Sequence, residues 1–124
     1  LSRRTLAGFY RIARVGVVTP LRDGMNLVAK EYIAAQNAAD PGVLVLSRFA
    51  GAADALTDAL IVNPFDPDAI AEAMHEALSM QLEERRARHQ SLLEKVRAST
   101  ARQYCEVFLR HLADCRTQPQ LEYA

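Results

Sequence analysis

The run from Val17 to Gln36, VVTPLRDGMNLVAKEYIAAQ, constrains the fold of this chain more than any other stretch. Val15 to Thr19 is apolar and β-branched, which reads as a strand buried on both faces. Pro20 has no N–H to give to a sheet ladder, so the strand stops there. Arg22, Asp23, Gly24 and Asn26 are turn residues. Asn26 then suits an N-cap, and Leu27 to Gln36 reads as a helix with Leu27, Val28, Tyr32 and Ile33 as its apolar positions. The result is strand, glycine-bearing loop, helix. The first turn of a helix carries unpaired N–H groups and the positive end of the dipole. In an open α/β sheet, ligands bind beyond the carboxyl ends of the strands. A phosphate ester would therefore sit well beside Met25, Asn26, Leu27 and Val28, with Gly24 allowing close approach. Asp23 and Glu31 are poor phosphate ligands and would accept from neutral hydroxyls instead.

The segment TPLRDGMNLVAKEY resembles the donor-binding segment of trehalose-6-phosphate synthases (glycosyltransferase family 20). These are retaining enzymes built from two Rossmann-like domains, the GT-B architecture. The similarity continues through DPGVLVLSRFAGAADALTDALIVNPFD and covers nearly the whole chain. It implies a piece of an enzyme that moves glucose from UDP-glucose to glucose-6-phosphate. By that resemblance, Asp23 and the backbone of Gly24, Met25 and Asn26 hold the donor glucose, with Asp23 in the catalytic role of positioning it. Asn26 and Leu27 amides face the diphosphate, Val28 packs near uracil, Glu31 binds the ribose hydroxyls, and the Leu6 backbone touches the base. The resemblance implies no cofactor and no metal, the donor being a substrate. Arg14 departs from the family, which has Asp there; it reads as a surface change. The family's basic clamp on the diphosphate and its acceptor site are not in this chain, so the piece alone is expected to be inactive and to hold UDP weakly.

The rest of the chain fits an α/β reading. Ser2 to Ala13 has helical spacing in Leu6, Phe9, Tyr10 and Ala13, with its arginines on a solvated side. Val43 to Ser47 reads as a second buried strand, Phe49 to Gly51 as a connector, Ala52 to Leu56 as a short helix, and Ala59 to Val62 as a third strand. Strands alternating with helices argue for a partial Rossmann-like parallel sheet of about three strands with flanking helices. So small a sheet implies further strands upstream.

Asp66 caps a helix that Pro67 opens and that runs to Met80, with Ile70, Met74, Ala77 and Leu78 inward and Met74 and Met80 as core fillers. Leu82 to Ser99 is a polar helix whose stripe is Leu92, Leu93 and Val96; His89 is assigned to its solvated side. Ala101 to Cys115 is the last helix. Its apolar face of Tyr104, Phe108, Leu112 and Cys115, widened by Cys105, Val107 and Leu109, exceeds what a peripheral helix needs. Residues 1–100 are thus expected to be donor-domain structure, and 101–124 a terminal helix and frayed tail. That helix is expected to pack on a missing N-terminal domain or on a second copy in a homo-oligomer.

Charge excludes some classes. Lys plus Arg equals Asp plus Glu, at 15 each, so no broad basic surface invites nucleic acid. No apolar run approaches a membrane span and no signal-peptide pattern opens the chain, so a cytoplasmic location is expected. The first residue is not Met, which reads as an excised or processed piece. Cys105 and Cys115, about 15 Å apart on one helix, are too distant for a disulfide and read as free, mostly buried thiols. No Ser–His–Asp set, metal-ligand spacing or Walker motif is visible. Two other classes remain: a regulatory module that keeps the donor fold without catalysis, and a helical interaction protein resting on the last helix.

Overall fold

The computed structural model describes residues 1–117. The elements are α1 (Arg3–Ile12), β1 (Val15–Val18), α2 (Leu27–Ala35), β2 (Val43–Ser47), a 3₁₀ turn (Gly51–Asp54), β3 (Leu60–Val62), α3 (Pro67–Ser79), α4 (Leu82–Ala98) and α5 (Ala101–Thr117). Local chemistry sets most boundaries. The Ser2 side chain accepts from the Thr5 N–H and starts α1. Asp66 accepts from the N–H groups of Asp68 and Ala69, and Pro67 occupies the first position of α3. The last helix runs two residues past its expected end; the remainder of the expected tail, from residue 118 on, lies outside the described residues.

The three strands pair in parallel in the order β1-β2-β3, with Val15 opposite Val43 and Val45 opposite Leu60. Helices cover both faces. On one, Ala29, Tyr32 and Ile33 of α2 meet Leu44, Leu46, Leu56 and Leu92. On the other, Ala73, Ala77 and Met80 pack on Val43, Val45 and Val62. All five residues of β2 are buried, as a central parallel strand requires. β1 is not buried on both faces as expected: Val17 is 41% exposed. β1 and β3 are the outer strands, and among the described residues their outer edges are unpaired.

Three burial expectations are corrected by the packing. On α3 the inward stripe is Ile70, Ala73, Ala77 and Met80, while Met74 and Leu78 are exposed. Two alanines one turn apart face the valines of the sheet, and the helical step of about 100° per residue places Met74 and Leu78, each the next residue on, away from that contact. On α4, Arg85 and His89 are buried in line with Leu92. His89 Nε2 lies 3.1 Å from the Ile33 carbonyl, so it belongs to the interface with α2 and not to the solvated side. Arg85 donates to the carbonyls of Met80 and Pro41 and to Asp40 Oδ1, which also accepts from Arg14. Asp40 is held below the usual carboxylate range, first by the hydrogen bond from Arg85. On α5 both cysteines are exposed, contrary to the buried reading, because no side of the helix is covered: every residue from 101 to 115 is exposed. Tyr104, Phe108, Leu109 and Leu112 are all at least half exposed.

Candidate functional site

β1 and β2 end side by side, and the loops that leave them are stitched together. The Asp23 N–H donates to the Phe49 carbonyl at 3.2 Å, Gly51 N–H to the Asp23 carbonyl at 3.0 Å, and Ala52 N–H to the Met25 carbonyl at 2.8 Å. Asp23 and Ala50 thereby form a one-residue parallel bridge beyond the strands. The approach is close enough to require glycine: a Cβ on Gly51 would stand 2.1 Å from the Gly24 carbonyl oxygen. A Cβ on Gly24 would meet nothing within 4 Å, so the outer side of the first loop is open.

Within this corner the polar side chains are interlocked. Asp23 Oδ1 accepts from the Met25 N–H at 3.1 Å, and Asp23 Oδ2 accepts from Asn26 Nδ2 at 3.0 Å. Asn26 Oδ1 accepts from the Ala29 N–H at 2.9 Å, which caps α2. Asn26 sits at φ 74°, a left-handed conformation that Asn tolerates better than most residues. Among the described residues, no hydrogen bond occupies the N–H groups of Gly24, Asn26, Leu27 or Val28. These four donors and the dipole of α2 make an anion-favouring corner at the carboxyl end of the sheet.

The residues singled out in the sequence fall in two adjoining places. Asp23, Gly24, Met25, Asn26 and Leu27 form the corner. The Met25 N–H is turned inward onto Asp23, so it is already engaged. Leu6 and Glu31 meet in a groove of about 310 Å³ between α1 and α2, with Arg3, Ala7, Tyr10 and Ala34. Val28, 43% exposed, stands one helical turn before Glu31 and links the two places. Among the described residues no three His, Cys, Asp or Glu side chains gather as metal ligands, and no helix is long and apolar enough to cross a membrane. The second loop, Phe49 to Ala52, was not part of the site as read from sequence. Its signal is a glycine just past the end of a buried parallel strand, on the same side of the sheet as the first loop.

The sequence model of glycosyltransferase family 20 matches residues 1–114. The chain belongs to that family. Among family-20 relatives, the trehalose-6-phosphate synthase of Enterobacter sp. (strain 638) is 54% identical over 119 residues, 96% of this chain and 25% of its own length. An α,α-trehalose-phosphate synthase (UDP-forming) from Burkholderia xenovorans, solved in complex with glucose-6-phosphate, is 55% identical with a TM-score of 0.84. That likeness covers 91% of this chain and 25% of the Burkholderia chain. A structure from E. coli bound with UDP-2-fluoro glucose is 54% identical, also with a TM-score of 0.84, over 90% of this chain and 25% of that one. This family-20 chain therefore spans about a quarter of the length of the relatives it matches.

Proposed function

We propose that this chain is the donor-binding portion of an α,α-trehalose-phosphate synthase. The whole enzyme moves glucose from UDP-glucose to glucose-6-phosphate with retention, giving trehalose-6-phosphate and UDP. The observation that carries the reading is the corner between β1 and α2, where four unoccupied N–H groups adjoin a fixed carboxylate, in a chain of family 20. Asp23 and the Gly24 and Asn26 backbone hold the glucose. The amides of Asn26 and Leu27 take the diphosphate, Val28 lies against uracil, Glu31 accepts from the ribose diol, and Leu6 borders the base. Neutral N–H groups and a helix dipole leave most of a diphosphate's charge uncompensated. The chain by itself is therefore inactive and binds UDP weakly, and it needs basic residues and an acceptor site from the remaining length of the enzyme. No metal is required where such residues carry the charge. The exposed apolar face of α5 fits a contact with that remaining polypeptide or with a second copy.

The test is a fusion in which this chain replaces the matching quarter of the Burkholderia xenovorans synthase, assayed by UDP release. Glu31→Ala is expected to raise KM for UDP-glucose about tenfold with little change in kcat, since ribose hydroxyls do not react. Asp23→Ala is expected to lower kcat/KM by about a hundredfold through misplaced glucose. Parent-like kinetics in both variants would refute the assignment.

A further inference from the structure

Asn26 is the only described non-glycine residue with positive φ, and both ends of its side chain are engaged in the corner. One end caps α2 through the Ala29 N–H, and the other donates to Asp23 Oδ2. The amide can be oriented in only one way: exchanging O and N would point an acceptor at a carboxylate and a donor at an N–H. A carboxylate rotor has broad, soft minima, so one bond from the Met25 N–H pins one oxygen but leaves the plane free to tilt. The Asn26 bond removes that freedom. Each Asp23 oxygen keeps a second lone pair for an incoming hydroxyl.

Resting on the donor reading above, we infer that the Asn26 side chain is a positioning residue. It ties the Asp23 carboxylate to the first turn of α2, so that the acceptor meeting the sugar hydroxyl and the N–H groups meeting the phosphates are held as one rigid unit. This is a role for the side chain, separate from any contact its backbone makes. The left-handed backbone at Asn26 is what brings its side chain back across the loop, with Oδ1 over α2 and Nδ2 over Asp23. Charged side chains on the adjoining elements are Arg22 on the same loop, Lys30 and Glu31 on α2, and Arg48 and Asp54 on the facing loop and turn. Among the described residues, none of these is hydrogen-bonded or ion-paired to Asp23 or Asn26.

Asn26→Asp separates the two jobs of the side chain. Aspartate caps a helix as well as asparagine and suits the positive end of the dipole. It cannot donate to Asp23 when ionised, and it sets a second carboxylate where the amide had been. Two such neighbours resist double ionisation, and the proton they share on acidification restores an O–H donor. In the Burkholderia fusion, Asn26→Asp is expected to keep its helix cap but to melt below the parent near pH 8, where the two carboxylates repel, and to lose about a hundredfold in kcat/KM for UDP-glucose. Relative to the parent, that loss is expected to lessen as pH falls below about 5, where a carboxylate pair begins to take up its shared proton. Asn26→Ala, lacking both cap and donor, is expected to melt lower and to stay impaired at every pH. An Asn26→Asp profile that runs parallel to the parent's, whether unimpaired or uniformly impaired, overturns the positioning role. A fusion that releases no UDP with Asn26 intact overturns the donor reading on which the inference rests.

Discussion

Replacing Gly51 by alanine is the sharpest probe of the corner. The added Cβ would stand 2.1 Å from the Gly24 oxygen and 2.8 Å from its carbonyl carbon, where ordinary contact begins at 3.4 Å. One loop must then retreat by about 1.3 Å. The hydrogen bonds on either side of the contact, Gly51 N–H to Asp23 and Ala52 N–H to Met25, start at 3.0 and 2.8 Å and do not survive such a shift. Two backbone hydrogen bonds at about 1 kcal/mol each set a loss of about 2 kcal/mol. Gly51 does not use positive φ, so alanine returns about 0.5 kcal/mol by restricting the unfolded chain. The net expectation is a destabilisation of about 1.5 kcal/mol together with about a hundredfold loss of transfer, because the loop proposed to hold the donor would have moved by an ångström. Gly24→Ala is the matched control. Its Cβ meets nothing within 4 Å, so stability should hold while KM for UDP-glucose rises, since the methyl stands on the open side of the loop. Chemical denaturation and UDP release in the Burkholderia fusion read both. A stable, active Gly51→Ala variant, or an unstable Gly24→Ala variant, would refute the reasoning.

Three further outcomes follow from the packing. Burial raises the Tyr32 phenol from 10.0 to about 12, so its contribution to stability is complete below pH 10 and is lost as pH rises through 12; a Tyr32→Phe variant should show a shallower alkaline unfolding limb. Asp40 and Asp58 are both held below the usual carboxylate range, Asp40 chiefly by the Arg85 hydrogen bond and Asp58 chiefly by that from Lys95. Their contribution is present above the ordinary carboxylate pKa of about 4 and is lost as pH falls beneath it; an Asp40→Asn, Asp58→Asn double variant should flatten the acid limb of a pH–stability curve. Cys105 and Cys115 should both react with a small alkylating reagent in the folded 124-residue chain, as mass spectrometry would count; protection of either would contradict the observed exposure of α5.

Much of the architecture could be read from residue order, because caps and breakers are local. Asn26, Asp66 and Pro67 mark helix starts wherever the rest of the chain lies, and the β2 run Val43 to Ser47 announces a doubly covered strand. The misreadings share one cause, which is that burial is decided by a neighbour. Ala73 is small and so was passed over for Met74, although small residues are what permit close packing on β2 and β3. Arg85 and His89 look like surface residues until α2 and the Asp40–Pro41 loop supply carbonyls and a carboxylate for them. Residues near the corner were legible through a long, unusual motif. The part played by Phe49 to Ala52 was not, because it comes from backbone bonds between residues 26 to 28 positions apart, which no local pattern encodes.

Among the described residues the outer edges of the sheet are unpaired, and this carries a practical consequence. β1 and β3 each present a row of backbone donors and acceptors to the outside, with Val17 and Ile61 uncovered beside them. Such margins recruit any extended peptide within reach. Expressed by itself, this polypeptide should cling to its own copies, and a further strand laid along either margin should cure that stickiness.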